Sequence, residues 1–108
     1  MPAPQPAPFV LERQAQLADL CQRSHARRLH LFGSATRPDF RPLDSDLDFL
    51  VELDESLAPG AYSQAFFALK NGLEQLFQRP VDLLTPNALR NPHLRRRVEA
   101  EQVPVYVA

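Results

Sequence analysis

The segment 46–53 (Asp-Leu-Asp-Phe-Leu-Val-Glu-Leu) constrains the fold of this chain most, because apolar and acidic side chains alternate along it. Successive side chains of a β-strand point to opposite faces of a sheet. The apolar face carries Leu47, Phe49, Val51 and Leu53, and the other face carries Asp46, Asp48, Leu50 and Glu52. The segment therefore predicts a strand with one core face and one acidic face.

The rest of the chain predicts an α/β (α+β) domain, a small mixed sheet with flanking helices. Helices are indicated where apolar residues recur every three or four positions, and strands where short apolar runs end at turn-forming residues. In chain order the predicted elements are a helix over 9–26, a strand over 28–32, a loop over 36–45, a strand over 46–52, a helix over 61–78, a strand over 81–84, short helices starting at 85–86 and at 91–92, and an edge strand over 103–107.

Length and charge limit what such a domain can do. The chain has 108 residues, 44% of them apolar and 23% charged, which is enough for one core but not two. Alternating prolines predict a disordered tail over residues 1–8 and leave 9–108 as the domain. Twelve Lys and Arg against thirteen Asp and Glu give a net charge of -1, which argues against a protein that coats nucleic acid.

Cysteine and histidine usage indicates the compartment and argues against zinc. Cys21 is the only cysteine, so it forms no internal disulfide, and His25, His30 and His93 lack the spacing of a zinc site. The sequence has neither an apolar run of membrane-spanning length nor a signal-peptide pattern at its N-terminus. We therefore expect this protein in the reducing cytoplasm, with no membrane partner.

Three aspartates are placed on strands, where aspartate is disfavoured: Asp46, Asp48 and Asp82. The first two are two residues apart on one strand face, which places their Cα atoms about 6.5 Å apart. A neighbouring strand that carries Asp82 would bring a third carboxylate to the same place. Such a cluster of hard oxygen ligands favours Mg²⁺ or Mn²⁺ and can hold the paired ions used in phosphoryl transfer.

Gly33 and Ser34 supply the complementary part of a nucleotide site. They end a predicted strand abruptly, and Gly33 is one of only three glycines in the chain. Backbone N–H groups in a glycine turn, together with a short hydroxyl, form a seat for phosphate groups. The ordered set of turn, Asp-x-Asp strand and later strand aspartate is more specific than any one of its parts.

Four segments carry a family resemblance: Leu-Phe-Gly-Ser at 31–34, Ser-Asp-Leu-Asp-Phe-Leu-Val-Glu at 45–52, Pro-Val-Asp-Leu-Leu-Thr at 80–85, and residues 94–105, which end in Val-Pro-Val. Together they resemble the minimal nucleotidyltransferase (MNT) domain of the DNA polymerase β-like nucleotidyltransferase superfamily. The resemblance covers about residues 9–108.

The resemblance implies a Mg²⁺-dependent nucleotidyltransferase. By the match, Gly33 and Ser34 bind the nucleotide phosphates, and Asp46, Asp48 and Asp82 are the catalytic carboxylates that hold Mg²⁺, with Asp82 as the candidate base. Stand-alone members of this size are commonly antitoxins paired with a HEPN-domain toxin. The better understood members transfer AMP from ATP to a tyrosine of that toxin. The implied ligands are therefore ATP and Mg²⁺, and the implied partner is a HEPN toxin.

Two departures from the family pattern keep a second function open. The chain has Arg37-Pro38 where the family usually has glycine after the arginine, and eleven residues rather than the commoner ten separate Ser34 from Asp46. Because Pro38 fixes φ and lacks an N–H, it removes one backbone contact available to a nucleotide. The alternative function is a non-catalytic antitoxin that neutralises its toxin by occlusion.

Structural roles also compete for the same residues. The three aspartates could be edge-strand charges that limit aggregation, and Gly33-Ser34 could be an ordinary helix cap. Arginines at 37 and 41 fit a phosphate clamp or a solvated loop equally well. The remaining expectations are a solvated helix face for the arginines at 95–97, structural roles for His30 and Cys21, and either core or partner surface for Tyr62, Phe66 and Phe67.

Overall fold

A computed structural model describes residues 4–37 and 46–108 as a four-stranded sheet with helices on it. The strands lie in the order β3-β2-β1-β4. They are β1 (Ala26–Phe32), β2 (Leu47–Leu53), β3 (Val81–Leu84) and β4 (Val103–Val107). The helices are α1 (Pro8–Leu11), α2 (Gln14–Arg23), α3 (Pro59–Phe77) and α4 (Pro92–Glu101), with 3₁₀ turns at Gly33–Thr36 and Pro86–Ala88.

The sheet is mixed, as the sequence predicts. Strand β1 pairs antiparallel with both β2 and β4, whereas β3 pairs parallel with β2. Helix α3 makes the crossover that a parallel pair requires. Strand β4 is an edge strand with an exposed Pro104, which confirms that prediction. The predicted α+β class is therefore confirmed.

One face of the sheet carries the main core, which α2 and α3 cover. The alternate residues Leu47, Phe49 and Val51 are fully buried there, opposite Leu69 and Leu73 of α3. The Phe49 ring stacks on that of Phe77, with centroids 6.2 Å apart. Cys21 is also buried in this core, and burial raises the pKa of its thiol to about 12. The core face of β2 is thus the one that its alternation predicts.

A second, smaller core lies on the opposite face of the sheet, where the sequence predicts only an acidic strand face. Phe32, Leu50, Leu89 and Val98 are buried together, with Val98 supplied by α4. The Asn91 side chain caps α4 by accepting hydrogen bonds from the backbone N–H groups of His93 and Leu94, at 2.8 and 3.4 Å. Packing of Val98 therefore fixes α4 on the face that also carries the aspartates.

Two predictions near the N-terminus need correction. The helix predicted over 9–26 is two helices, because Glu12 and Arg13 form a turn between α1 and α2. This break lets both Val10 and Leu17 be fully buried, and packing here overrides helix propensity. Part of the predicted tail packs against the domain instead: Ala7 N–H donates to Ala35 O at 2.9 Å, and Ala7 is buried.

Some predictions fall outside the described residues or shift by small amounts. Residues 1–3 of the predicted tail lie outside, as do 38–45, which include Pro38 and Arg41. Helix α3 begins at Pro59 rather than at residue 61, since proline suits the first turn of a helix. In the described part of the chain, no helix is both long and apolar enough to cross a membrane.

The packing predicts that removing two phenylalanine rings lowers the free energy of unfolding by different amounts. Replacing the fully buried Phe49 (Phe49→Ala) should lower the free energy of unfolding by about 3–5 kcal/mol, because it leaves a cavity against Phe77. Phe67, which is 58% exposed, is the matched control, and Phe67→Ala should cost less than about 1 kcal/mol. Urea unfolding measures both, and equal losses would contradict the assigned core.

Candidate active site

The 3₁₀ turn after β1 brings the backbone of Gly33 close to the carboxylate of Asp48. Gly33 begins the 3₁₀ turn with φ +76°, a left-handed conformation that favours glycine. The Thr36 hydroxyl donates to Gly33 O at 2.7 Å and closes the turn. A Cβ added at Gly33 would overlap Oδ2 of Asp48. Glycine is therefore required here both by the backbone conformation and by the close approach of the Asp48 side chain.

Strand register explains how Asp48 reaches both neighbours. Asp48 is opposite Phe32 in the antiparallel pair with β1, so it lies beside the start of the glycine turn. On its other side, Asp48 is in register with Asp82 of the parallel strand β3. Neighbouring strands are about 4.8 Å apart, so these two carboxylates share one face at adjacent positions. Asp46, two residues before Asp48, is exposed next to the start of β2.

The carboxylates at the site repel each other. Partial burial, reinforced by the charges of Asp82, Asp46 and Glu101, raises the pKa of Asp48 to about 6, while Arg97 opposes this shift. A cation between Asp48 and Asp82 would relieve the repulsion that the sheet imposes. The donor set therefore fits a divalent cation.

The described residues do not form a complete metal cage. In segments 4–37 and 46–108, no group of three or more His, Cys, Asp or Glu side chains is arranged to hold a metal ion on its own. Magnesium at nucleotide sites is usually held by one or two carboxylates together with phosphate and water oxygens. Asp48 and Asp82 fit that mode, whereas the three-carboxylate, two-metal arrangement stays a prediction.

The structure therefore brings the predicted site residues to one end of the sheet. Gly33 contacts Asp48, Ser34 follows in the same turn and is partly exposed, and Asp82 lies alongside. Asp46 is close enough for its charge to act on Asp48.

Three further charged residues border the site. The sequence alone left Arg37 open between a phosphate clamp and a solvated loop, and it did not place Arg97 or Glu101 there. Arg97 and Glu101, on α4, both act electrostatically on Asp48. Arg37, at the end of the glycine turn, forms an ion pair with Glu101 at 3.5 Å, so it is neither fully solvated nor isolated. For Arg97 and Glu101 the sequence signal was their i, i+4 spacing.

His30 lies on the same sheet face, between Arg28 and Phe32 on β1. Its Nδ1 is buried and has no hydrogen-bond partner among the described residues. Burial lowers the pKa of His30, with Arg28 adding to this effect and Glu52 opposing it. This shift favours the neutral form of the ring.

Comparison with known proteins decides the family. The family described as Nucleotidyltransferase domain matches residues 14–105 of this chain. The chain belongs to that family. The MNT prediction is thereby confirmed, and so is the prediction of a nucleotidyltransferase enzyme.

Two archaeal relatives extend the comparison. Both are proteins of Methanocaldococcus jannaschii provisionally named protein adenylyltransferases. One is 32% identical over 79 residues, which are 73% of this chain and 76% of the relative. The other is 30% identical over 86 residues, which are 80% of this chain and 83% of the relative.

Solved structures share the fold of this nucleotidyltransferase. A structure provisionally described as a minimal nucleotidyltransferase is 32% identical, with a TM-score of 0.65, and the match covers 93% of this chain and 96% of that one. An MNT antitoxin in complex with a tri-AMPylated HEPN toxin of Shewanella oneidensis gives a TM-score of 0.61 at 18% identity, covering 92% of this chain and 73% of that one. At 18% identity, the similarity to the MNT antitoxin shows only that the two proteins share a fold.

Contact between the turn and the carboxylate predicts that substitutions at Gly33 and Asp48 are coupled. Gly33→Ala should destabilise the protein by about 2–4 kcal/mol, through left-handed strain and overlap with Asp48. Adding Asp48→Ala removes the overlapping atoms, so a double-mutant cycle should give a coupling energy of at least about 1 kcal/mol. Gly60→Ala, where an added Cβ meets nothing within 4 Å, is the control. If the changes in the free energy of unfolding for Gly33→Ala and Asp48→Ala are additive, the contact between these residues is contradicted.

The raised pKa of Asp48 also predicts that, in the absence of divalent cations, Asp48→Asn stabilises the protein by an amount that depends on pH. The carboxyl is protonated in both states at low pH, whereas above about pH 6 it is ionised in both states and folding must place the ionised group, partly buried, among other negative charges. The contribution of Asp48 to stability therefore falls as pH rises from about 4 through 6. Asp48→Asn should be more stable by about 1 kcal/mol near pH 7.5, after discounting for solvent screening.

Thermal unfolding in EDTA at two pH values measures this gain, which should vanish near pH 4. Asp19→Asn is the control, because Asp19 is an exposed aspartate paired with Arg23 at 2.8 Å on the far side of the core. A gain of the same size at both pH values would contradict the assigned repulsion.

Proposed function

We propose that this nucleotidyltransferase transfers AMP from Mg²⁺-ATP to a hydroxyl group of a partner protein and thereby acts as an antitoxin. Two lines support the proposal. The archaeal relatives at 30% and 32% identity carry provisional names as protein adenylyltransferases. The same fold also serves as the MNT antitoxin in the complex with a tri-AMPylated HEPN toxin. We extend the proposal to a tyrosine of a HEPN toxin as acceptor and to the cytoplasm as the place of action.

The observation that carries this proposal is the contact of Gly33 with Asp48, beside Asp82. A nucleotide site needs N–H donors for phosphate oxygens and carboxylates for the metal that accompanies them. Gly33 stands at the boundary of these two halves, since its backbone belongs to the turn and its missing side chain makes room for the carboxylate. The fold thus supports phosphate and metal binding within one small volume.

In the proposed mechanism the chain supplies binding and proton transfer. Backbone N–H groups at Gly33 and the Ser34 hydroxyl donate to phosphate oxygens. Asp48 and Asp82, with Asp46 beside them, would hold Mg²⁺, which neutralises charge on the α-phosphate when bound. The acceptor oxygen attacks the α-phosphorus, its bond to phosphorus forms as the bond to the leaving pyrophosphate breaks, and its proton passes to Asp82.

Exposure of the two strand carboxylates fits a large acceptor. Asp82 is exposed on the edge strand β3, whereas Asp48 is partly buried between β1 and β3. A hydroxyl on the surface of another protein can reach an exposed edge-strand carboxylate without entering a deep pocket. Asp82 is therefore the better placed of the two to accept a proton from a macromolecular acceptor.

A labelling assay with substoichiometric enzyme tests the proposal. The reaction holds this protein, a HEPN-domain protein from the same genome in excess, Mg²⁺, and ATP labelled on the α-phosphate. Each transfer should add about 329 Da, the mass of an AMP residue, to the acceptor. Label should accumulate beyond one equivalent of enzyme, and tandem mass spectrometry should locate it on tyrosine.

Asp48→Asn should abolish labelling, while Asp19→Asn, which removes one exposed carboxylate on α2, should retain it. An occluding antitoxin would instead protect only mole for mole, because neutralisation by binding lasts as long as the complex. Full protection by Asp48→Asn with no label transferred by either protein would overturn the enzymatic proposal and favour occlusion.

A further inference from the structure

Residues 4–7 form an N-terminal arm that lies against the end of the glycine turn. The Ala7 N–H donates to Ala35 O at 2.9 Å. The Gln5 N–H donates to Thr36 O at 3.3 Å. Ala35 and Thr36 are the last two residues of the turn, and both are buried. Because carbonyl groups at the end of a helical turn have no partner inside it, the arm supplies donors that the turn lacks.

The alternating prolines explain why the arm has only these two backbone donors. Proline has no N–H, so in Pro-Gln-Pro-Ala-Pro at 4–8 only Gln5 and Ala7 carry one. Both of these N–H groups donate to the turn. Each proline also fixes its own φ, which lowers the conformational entropy that the arm loses when it is held in place. The proline pattern therefore suits a stiff arm with two donors.

The arm is also fixed to the main core. Ala7 is buried in that core and is the N-cap residue of α1. In α1, the Phe9 ring packs edge-on against the ring of Phe77, with centroids 5.8 Å apart. Phe77 stacks in turn on Phe49, the residue that follows Asp48 on β2. The arm therefore connects the turn to the same core that holds β2.

The four carbonyl groups of the turn all accept hydrogen bonds. The Thr36 hydroxyl donates to Gly33 O at 2.7 Å, and these residues are three apart. The Arg37 N–H donates to Ser34 O at 3.1 Å, which is also a local bond. The bonds to Ala35 and Thr36 come instead from the arm, in a distant part of the sequence. Local bonds thus set the curvature of the turn, and the arm sets where its end lies relative to the core.

We propose that the N-terminal arm is a positioning element for nucleotide binding, which holds the turn where Gly33 contacts Asp48. The inference rests on the proposed function in taking the turn as the phosphate-binding element. The arm acts through the turn, because both of its N–H groups are already used. A turn that is held in place before the ligand arrives loses less freedom on binding. By linkage, a bound triphosphate must in return strengthen the hold of the arm.

The single cysteine allows one arm hydrogen bond to be removed in the full chain without changing any side chain. A synthetic peptide thioester of residues 1–20 is ligated to a fragment that begins at Cys21. Lactic acid in place of Ala7 puts an ester oxygen where the N–H was. Calorimetric titration with Mg²⁺ and inorganic triphosphate, which has no AMP to transfer, measures the affinity. We expect binding about 3- to 10-fold weaker than in the ligated native chain, the effect of losing one neutral hydrogen bond.

The matched control is the same ester replacement at Ala18, whose N–H lies in the middle of α2 and not at the turn. This ester also lowers the free energy of unfolding, because it removes a hydrogen bond within the helix. The triphosphate affinity should nevertheless stay within about twofold of the native value. Equal affinities of the native chain and the Ala7 ester, or equal losses in the two esters, would overturn the inference.

Two substitutions at Gln5 test the second arm hydrogen bond. Gln5→Pro removes the N–H that bonds to Thr36 O, whereas Gln5→Ala shortens the same exposed side chain and keeps the N–H. The proline variant should bind triphosphate several-fold more weakly, and the alanine variant should bind it as the native chain does. A loss of the same size in both variants would contradict a role of the backbone N–H.

Amide hydrogen exchange tests the coupling in the opposite direction. Saturating Mg²⁺-triphosphate should slow exchange at the Gln5 and Ala7 N–H groups at least about 3-fold. The control is the His25 N–H, which donates to Gln22 O at 3.3 Å just before the opposite end of β1, and its exchange rate should not change. Exchange at the arm that is indifferent to bound triphosphate would overturn the coupling.

The titration separates this inference from the proposed function. Triphosphate binding that depends on the arm, in a protein that labels no acceptor, would uphold the inference and overturn the transfer activity. AMP transfer by the native chain with an unaltered KM for ATP in the Ala7 ester would uphold the activity and overturn the inference. Failure of the native chain to bind Mg²⁺-triphosphate would overturn the inference outright.

Discussion

The close approach of the Asp48 carboxylate to the backbone of Gly33 is the constraint on which the rest of the site depends. It requires glycine at the end of β1, in a left-handed conformation that turns the chain sharply out of the sheet. It also requires β1 and β2 to pair in the register that places Phe32 opposite Asp48. A slip of one residue would turn the aspartate to the core face. The sheet register and the glycine turn are therefore specified by the same contact.

The second face of the sheet is a compromise between packing and electrostatics. Leu50 and Phe32 form a small core with Val98, and this core holds α4 beside charged groups that repel one another. Asp48 is left partly desolvated, so its ionised form is disfavoured without a counter-charge. Unfavourable electrostatics of this kind are typical of sites that bind a cation or perform acid-base chemistry. The ionised Asp48 carboxylate therefore lowers the stability of the ligand-free protein, and a bound cation would offset that loss.

Much of this arrangement could be predicted from the sequence, because periodicity and turn chemistry act locally. The alternation along β2 identified the residues that it buries in the main core, though not the burial of Leu50 on the other face, and Asn91-Pro92 identified the start of α4. The break at Glu12–Arg13 had no local signal, since no proline or glycine marks it and long-range packing decides it. The ion pair between Arg37 and Glu101 also depends on tertiary structure, because its two residues are far apart in the sequence.

The proposed function requires the glycine turn and the paired strand aspartates to form one nucleotide and metal site. A crystal structure with Mg²⁺ and a non-hydrolysable ATP analogue would show whether they do. We expect phosphate oxygens within hydrogen-bond distance of the N–H groups of the Gly33 turn, and a metal ion about 2.1 Å from oxygens of Asp48 and Asp82. A nucleotide seated elsewhere on the chain, with no metal ion at these aspartates, would contradict it.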